Sequence, residues 1–211
     1  MIIGICGTHG TGKSTILNAA KDAGCKVDFS QLSRTAQKQL GWDSLSKAQE
    51  SVDNMWALQD AILCAIYDRD QKIIKSGELT IVERTPADAW AYTALWCSRL
   101  GIDVLDRFIQ DKKADVYRRM CRDLAREYAR FVVVPPITEI PFEADPNRAD
   151  ESSRAFVEKR INEFLWNGLF PQYTITTSCR NGRAAEIQGL FYITKAHVES
   201  SKIIPGDKNA N

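Results

Sequence analysis

The octet Gly7-Thr8-His9-Gly10-Thr11-Gly12-Lys13-Ser14 follows directly on the apolar run Met1-Ile2-Ile3-Gly4-Ile5-Cys6. It fits G-x-x-x-x-G-K-[ST] without a mismatch. The run before it reads as a strand buried on both faces, and Lys13 to about Ala23 reads as a helix ended by Gly24. Strand, glycine-rich turn and helix together make a phosphate cradle. Glycines let the backbone curl so that successive N–H groups point inward at phosphate oxygens, and the helix N-terminus adds partial positive charge. Lys13 is placed to reach the β- and γ-phosphates of a nucleotide, and the Ser14 hydroxyl to ligate Mg²⁺. Gly7, Thr8, His9, Gly10, Thr11, Gly12, Lys13, Ser14 and Thr15 are therefore the expected nucleotide contacts. Thr15 falls near the α-phosphate, and His9 occupies a variable position of the motif. The loop predicts nucleoside triphosphate binding but not the fate of the γ-phosphoryl, since kinases, GTPase switches and motors all use it.

Further along, the pattern alternates. Strands are expected at Cys25–Phe29, Leu79–Val82, Phe131–Val134 and Tyr173–Thr177. Ser30 caps a helix ending near Gly41. Ser46 with Gln49 makes a capping-box pattern and opens a long helix to about Ser76. Thr85-Pro86 begins a helix that ends near Leu100, before Gly101. Helices are also expected over about 103–129, about 150–167 and 183–190, and the polar stretch 196–211 reads as a C-terminal tail after one domain spanning 1–195. Alternating strands and helices argue for an α/β fold with a mainly parallel sheet. Ligands of such sheets bind beyond the carboxyl ends of the strands, so the residues just after each strand matter most.

Three strand ends carry candidates. Glu83-Arg84 follows the third strand: the carboxylate suits Mg²⁺, and the guanidinium suits charge on a phosphate. Asp88 falls three residues after Thr85, which makes it either a capping-box partner or a substrate contact. Asp28, near the end of the second strand, is a candidate to accept or orient an acceptor hydroxyl, and Arg34 a candidate to hold a substrate anion. Asp145-Pro146-Asn147-Arg148 precedes a helix with Arg154, and Arg148 and Arg154 are candidates to close over a transferring phosphoryl group. Arg118, Arg122 and Arg126 line one face of a helix with interleaved acids. That face reads as solvated, with a polynucleotide groove as the alternative. The tryptophans fall mostly in helical core patterns. Trp56 and Trp90 are the two placed to reach a base.

Composition sets the outer limits. The chain has 211 residues, 28 Lys plus Arg against 27 Asp plus Glu, and a formal charge of +1, so no global field favours nucleic acid or an anionic membrane. No apolar run approaches the roughly 18–20 residues needed to span a bilayer. Six scattered cysteines without a CxxC pair, and only two histidines, speak against a zinc cluster and for reduced thiols in a cytoplasm.

Taken together these residues resemble P-loop nucleoside/nucleotide kinases, nearest to the nicotinamide riboside kinase-like P-loop group found in bacteria and phages. The resemblance extends over roughly residues 1–190. That group carries a Glu and, three residues on, an Arg after its second strand. Gln31 and Arg34 hold this spacing here, so the arginine is kept and the carboxylate is not, which turns attention to Asp28. Its third-strand motif is Asp or Glu, Arg, then Pro and Asp, and Glu83-Arg84-Thr85-Pro86-Ala87-Asp88 matches it. Pro135, Asp145 and Arg148 resemble its later proline and Asp-Gly-x-Arg, with Pro146 in place of the glycine. The resemblance implies a P-loop NTPase three-layer sandwich with a five-stranded sheet and a small helical lid around residues 143–160. It implies ATP and Mg²⁺ as cofactors. The implied reaction moves the γ-phosphoryl to a nucleoside or nucleotide acceptor, with Lys13, Asp28, Glu83, Arg84, Arg148 and Arg154 as catalytic groups. Asp28, Arg34, Arg84 and Asp88 would hold the acceptor, and Ser14 and Glu83 the metal. Two alternatives stand beside it: a phage-type kinase acting on 5-hydroxymethyluridine within DNA, and a regulatory switch driven by nucleotide hydrolysis.

Overall fold

The structure is a computed structural model that describes residues 1–104, 111–136, 151–177 and 180–203. Five parallel strands, β1 (Ile2–Cys6), β2 (Val27–Asp28), β3 (Thr80–Glu83), β4 (Tyr128–Val133) and β5 (Gln172–Thr174), form one sheet in the order β2-β3-β1-β4-β5. The central three strands are buried on both faces, and their side chains alternate with period two, as the pleat requires. Ile2, Cys6, Val82, Phe131 and Val133 pack on one face. Ile3, Ile5, Ile81, Val132 and Val134 pack on the other.

Helices cover both faces. On the first lie α3 (Val52–Ser76), α4 (Pro86–Arg99), α5 (Lys112–Ala125) and α6 (Glu151–Asn167), with α4 touching the other three. On the second, α1 (Lys13–Asp22) packs against α7 (Arg180–Ile203). The short α2 (Leu32–Gln39) leans on α3 through a small cluster of Ala36, Ala48 and Leu58. This is the three-layer α/β sandwich expected from the sequence, and every strand of its sheet is parallel.

Several boundaries differ from expectation, each for a local reason. The long helix starts at Val52, not at Ser46. Ser51 is its cap, accepting from Asn54 N at 3.1 Å, while Leu45–Gln49 is a separate 3₁₀ turn capped by Ser44. The bend between them lets Ala48 pack into the cluster with Ala36 and Leu58. β4 starts three residues earlier than expected, because Tyr128 is buried beneath the sheet and hydrogen-bonded there. β5 is shorter, because Thr176 and Thr177 turn their N–H and hydroxyl groups to Glu186 instead of to a ladder. α7 runs on to Ile203, through the first residues of the expected tail. The first proline in this part of the chain is Pro205, so nothing before it breaks the helix. Trp56 and Trp90, expected to reach a base, are core residues only 4% and 5% exposed. Residues 143–150 of the expected lid, Asp145 and Arg148 among them, lie outside the described residues, and 151–160 form the first turns of α6.

Among the described residues no helix is long and apolar enough to cross a membrane. Cys6, Cys25, Cys64, Cys97 and Cys121 are free thiols, of which only Cys64 is exposed.

Candidate active site

β1 runs straight into the phosphate loop. Gly7 lies so close to β4 that a Cβ on it would meet Val134 O at 2.5 Å, a backbone atom with no room to move. Gly12, at φ +77°, sets the chain into α1. The first helical hydrogen bond runs from Ile16 N to Gly12 O at 3.0 Å. The N–H groups of Lys13, Ser14 and Thr15 therefore lack an intrahelical partner, and these are the donors that an anion takes up.

Lys13 is folded back over the loop. Its Nζ donates to Gly7 O at 2.8 Å and Thr8 O at 2.5 Å. Burial pushes its pKa down to about 8. Asp88 and Glu83 act upward, and Arg84 adds to the downward push. The lysine thus spends its protons on its own loop's carbonyls until an anion offers better partners.

The loop is braced from α4. The helix opens with a capping box: Thr85 Oγ accepts from Asp88 N, and Asp88 Oδ2 accepts from Thr85 N at 2.8 Å, with Pro86 at the first position. Asp88 Oδ1 then accepts from Gly7 N at 3.1 Å. One turn on, Tyr92 Oη accepts from His9 N at 3.1 Å. The capping-box reading of Asp88 is thus the one that the hydrogen bonds bear out. Asp88 is 1% exposed, ties helix to loop, and borders the cleft described next.

At the end of β3, Glu83 and Arg84 point in different directions. Glu83 Oε2 accepts from Ser14 Oγ at 3.3 Å. This hydroxyl and carboxylate, beside the unpartnered loop amides, form a hard oxygen set. It fits Mg²⁺, which binds few protein ligands and takes the rest of its shell from water and phosphates. Arg84 adopts φ +60° and lies over the Tyr92 ring, 5.7 Å from its centroid. Burial alone would lower its pKa, but Tyr92, Asp88 and Glu83 hold it above its ordinary value, so Arg84 is a permanent cation.

Beyond Arg84 opens a cleft of about 140 Å³ between α3 and α4. Leu58, Ile62 and Ile66 form one wall, and Ala89, Tyr92 and Trp96 the other. His9 and Arg84 lie at its loop end, and Gln59 is buried in its side, its Oε1 accepting from Thr93 Oγ1 at 3.0 Å. A polar recess of about 180 Å³ lies between Glu83-Arg84 and the start of α2, where Ser33 and Arg34 line it. Apolar walls with a few convergent polar groups are what a small organic ligand requires.

The structure therefore brings together Lys13, Ser14, Glu83, Arg84, Asp88 and Arg34. It does not bring Asp28 to the cleft. Asp28 Oδ1 accepts from Ser30 N at 2.8 Å, and its side chain borders a separate groove with Lys26 and Lys72. Arg154 is buried at the start of α6 and lines neither cleft nor recess. On α5, Arg118 and Arg119 both pair with Asp115, and Arg126 pairs with Asp123. Sequence reasoning missed Gln59 and Tyr92. A lone amide on an apolar helix face marked the first, and the four-residue step from Asp88 marked the second.

The chain matches the family model of the AAA domain over residues 2–178. No curated protein matches it in sequence. Among solved structures it is similar to a deoxyadenosine kinase from M. mycoides, at 15% identity and TM-score 0.61, covering 92% of this chain and 100% of that one. It is similar to a thymidylate kinase from Candida albicans, at 17% identity and TM-score 0.63, covering 93% and 92%. It is also similar to the NadR protein in complex with NAD and AMP-PNP, at 15% identity and TM-score 0.63, where 92% of this chain spans only 49% of the other.

Proposed function

Because the chain belongs to the AAA domain family and has the fold of P-loop nucleoside and nucleotide kinases, we propose that it is an ATP-dependent kinase that moves the γ-phosphoryl to a nucleoside or nucleotide. One observation carries this reading. The apolar cleft opens onto the phosphate loop itself, with His9 common to both and Arg84 at the junction.

The loop amides and Lys13 hold the triphosphate. Ser14 and Glu83 would hold Mg²⁺, which would supply positive charge against the charge of the phosphates. The cleft walls grip the acceptor's ring, and Gln59 supplies an amide for its edge. An acceptor oxygen attacks the γ-phosphorus as the bond to the β–γ bridging oxygen breaks, and ADP leaves. Arg84 stabilises the charge on the transferring group. Asp88, the carboxylate at the cleft, spends its oxygens on Gly7 and Thr85, and Glu83 faces Ser14, so the acceptor's proton passes to the transferred phosphoryl oxygens or to solvent. The transition state is loose, so positioning and charge do most of the work and a strong base is not needed. Arg34, at the recess, suits an acceptor that already carries a phosphate.

Labelled ATP, offered with nucleosides, nucleoside monophosphates and duplex DNA containing 5-hydroxymethyluridine, tests this. Transfer to a small acceptor is the expected result. Hydrolysis indifferent to every acceptor would overturn it in favour of a switch, and transfer to the DNA alone would replace the acceptor class.

A further inference from the structure

The turn at Glu83–Arg84 carries a conformational cost. A non-glycine residue in the left-handed region is strained and persists only where its surroundings over-determine it. The group that fixes this turn is on another element. Arg69 Nη1, from α3, donates to Glu83 O at 2.6 Å, on the peptide just before the bend.

Arg69 is itself immobilised. Its Nε donates to Asp70 Oδ1 at 2.9 Å and its Nη2 to Tyr128 Oη at 2.8 Å, while Tyr128 Oη donates to Asp70 Oδ2 at 2.8 Å. Arg69, Asp70 and Tyr128 are 6%, 1% and 4% exposed. A buried ion pair is weak as a source of stability, and apolar side chains of similar volume commonly serve as well or better. What apolar residues cannot supply is the hydrogen bond to the Glu83 carbonyl. On the far side of that same residue, the carboxylate meets Ser14.

We propose that Arg69 is a positioning residue: it locks the Glu83–Arg84 peptide so that the Glu83 carboxylate faces Ser14 and the Arg84 guanidinium faces the cleft. The proposal rests on the kinase reading in taking Ser14 and Glu83 as the Mg²⁺ site. Tyr128 only braces the network, so removing its hydroxyl leaves Arg69 bonded to both Asp70 and Glu83.

The test compares Arg69→Met, Arg69→Lys and Tyr128→Phe in the full chain, with ADP as the probe. Melting temperature and calorimetric titration are read in EDTA and across Mg²⁺ concentrations. Arg69→Met is expected to raise the Mg²⁺ concentration for half-maximal stabilisation of the ADP complex by about tenfold, the scale of one lost charge-assisted hydrogen bond. ADP affinity in EDTA stays within about twofold. Tyr128→Phe is expected to lower the melting temperature of the free protein while leaving the Mg²⁺ midpoint in place. Adding Glu83→Gln to Arg69→Met is expected to shift the midpoint no further than Glu83→Gln alone, because both changes remove one unit. Arg69→Lys, which keeps a cation but not the fork, repeats the midpoint shift if the methionine variant does not fold. An unchanged midpoint in the arginine variants, an equal shift in Tyr128→Phe, or additive shifts in the double variant would overturn the proposal. If the unaltered protein binds ADP without regard to Mg²⁺, the metal site of the kinase reading falls, and the positioning role with it.

Discussion

The two halves of the candidate site are built on different principles. The phosphate loop is eight consecutive residues that supply backbone N–H groups, a helix start and one lysine, which donates to the loop's own carbonyls. The adjoining cleft is assembled from α3, α4, the 3₁₀ turn at Leu45–Gln49, the start of α2 and the loop itself, and its α3 and α4 walls are mainly aliphatic and aromatic side chains. The first half recognises charge and the second recognises shape. A ligand spanning both is an anionic chain on one side and a flat or apolar body on the other. On the proposed kinase reading, triphosphate binding and acceptor choice can vary independently, because among the described residues the two halves meet at His9, Asp88, Tyr92 and the Glu83–Arg84 turn.

The most drastic way to break this division is at Lys13. Lys13→Ala is expected to cut turnover by about 10²–10³-fold or more, the range seen when a preorganised electrostatic group is removed. Its circular dichroism should match that of the unaltered protein; near-normal turnover would show that the loop does not handle the transferring phosphoryl. On the other side, Ile62→Trp fills the cleft wall. It is expected to raise the acceptor KM by about tenfold or more while ATP affinity stays within about twofold. If titration with ATP weakened as much as acceptor use, the two halves would not be separable.

The pH dependence sharpens the comparison further. Lys13 sits at about 8 in the nucleotide-free loop, and a bound triphosphate favours its charged form. Below pH 8 the cation is already present. Above it, binding must take up a proton, so ATP affinity is expected to fall with rising pH, by up to about tenfold per unit. Calorimetry in two buffers of different ionisation enthalpy measures that proton, and acceptor binding should show no such uptake. The smallest effect belongs to the brace between the halves. Asp88→Asn keeps a side-chain acceptor but loses the charge and one hydrogen-bond partner. It is expected to cost about 1–2 kcal/mol of stability, read as a lower urea midpoint at unchanged slope.

The same division explains what the sequence revealed. The loop is contiguous, so its eight residues announce themselves. The capping box at Thr85 and Asp88 is local too, and both it and the helix it opens were legible. The burial of Ile2 to Cys6 on both faces was equally readable, because an unbroken apolar run suits a strand covered on two sides. The cleft was not readable, since Leu58, Ile62 and Gln59 meet Tyr92 only after α3 and α4 have packed on the same sheet. Asp28 stood at the right place in the chain, but Ser30 turns its carboxylate aside. The Arg69–Asp70–Tyr128 network joins residues 58 positions apart, and no local pattern links them.

The register of β1 against β3 pairs Ile5 with Glu83. The ladder thus sets Glu83 beside the end of β1, from which the phosphate loop carries the chain to Ser14. A slip of one residue would send the Glu83 side chain to the opposite face. The sheet register and the Arg69 hydrogen bond to Glu83 O thus act on the same residue, one on its place in the strand and the other on the peptide that follows.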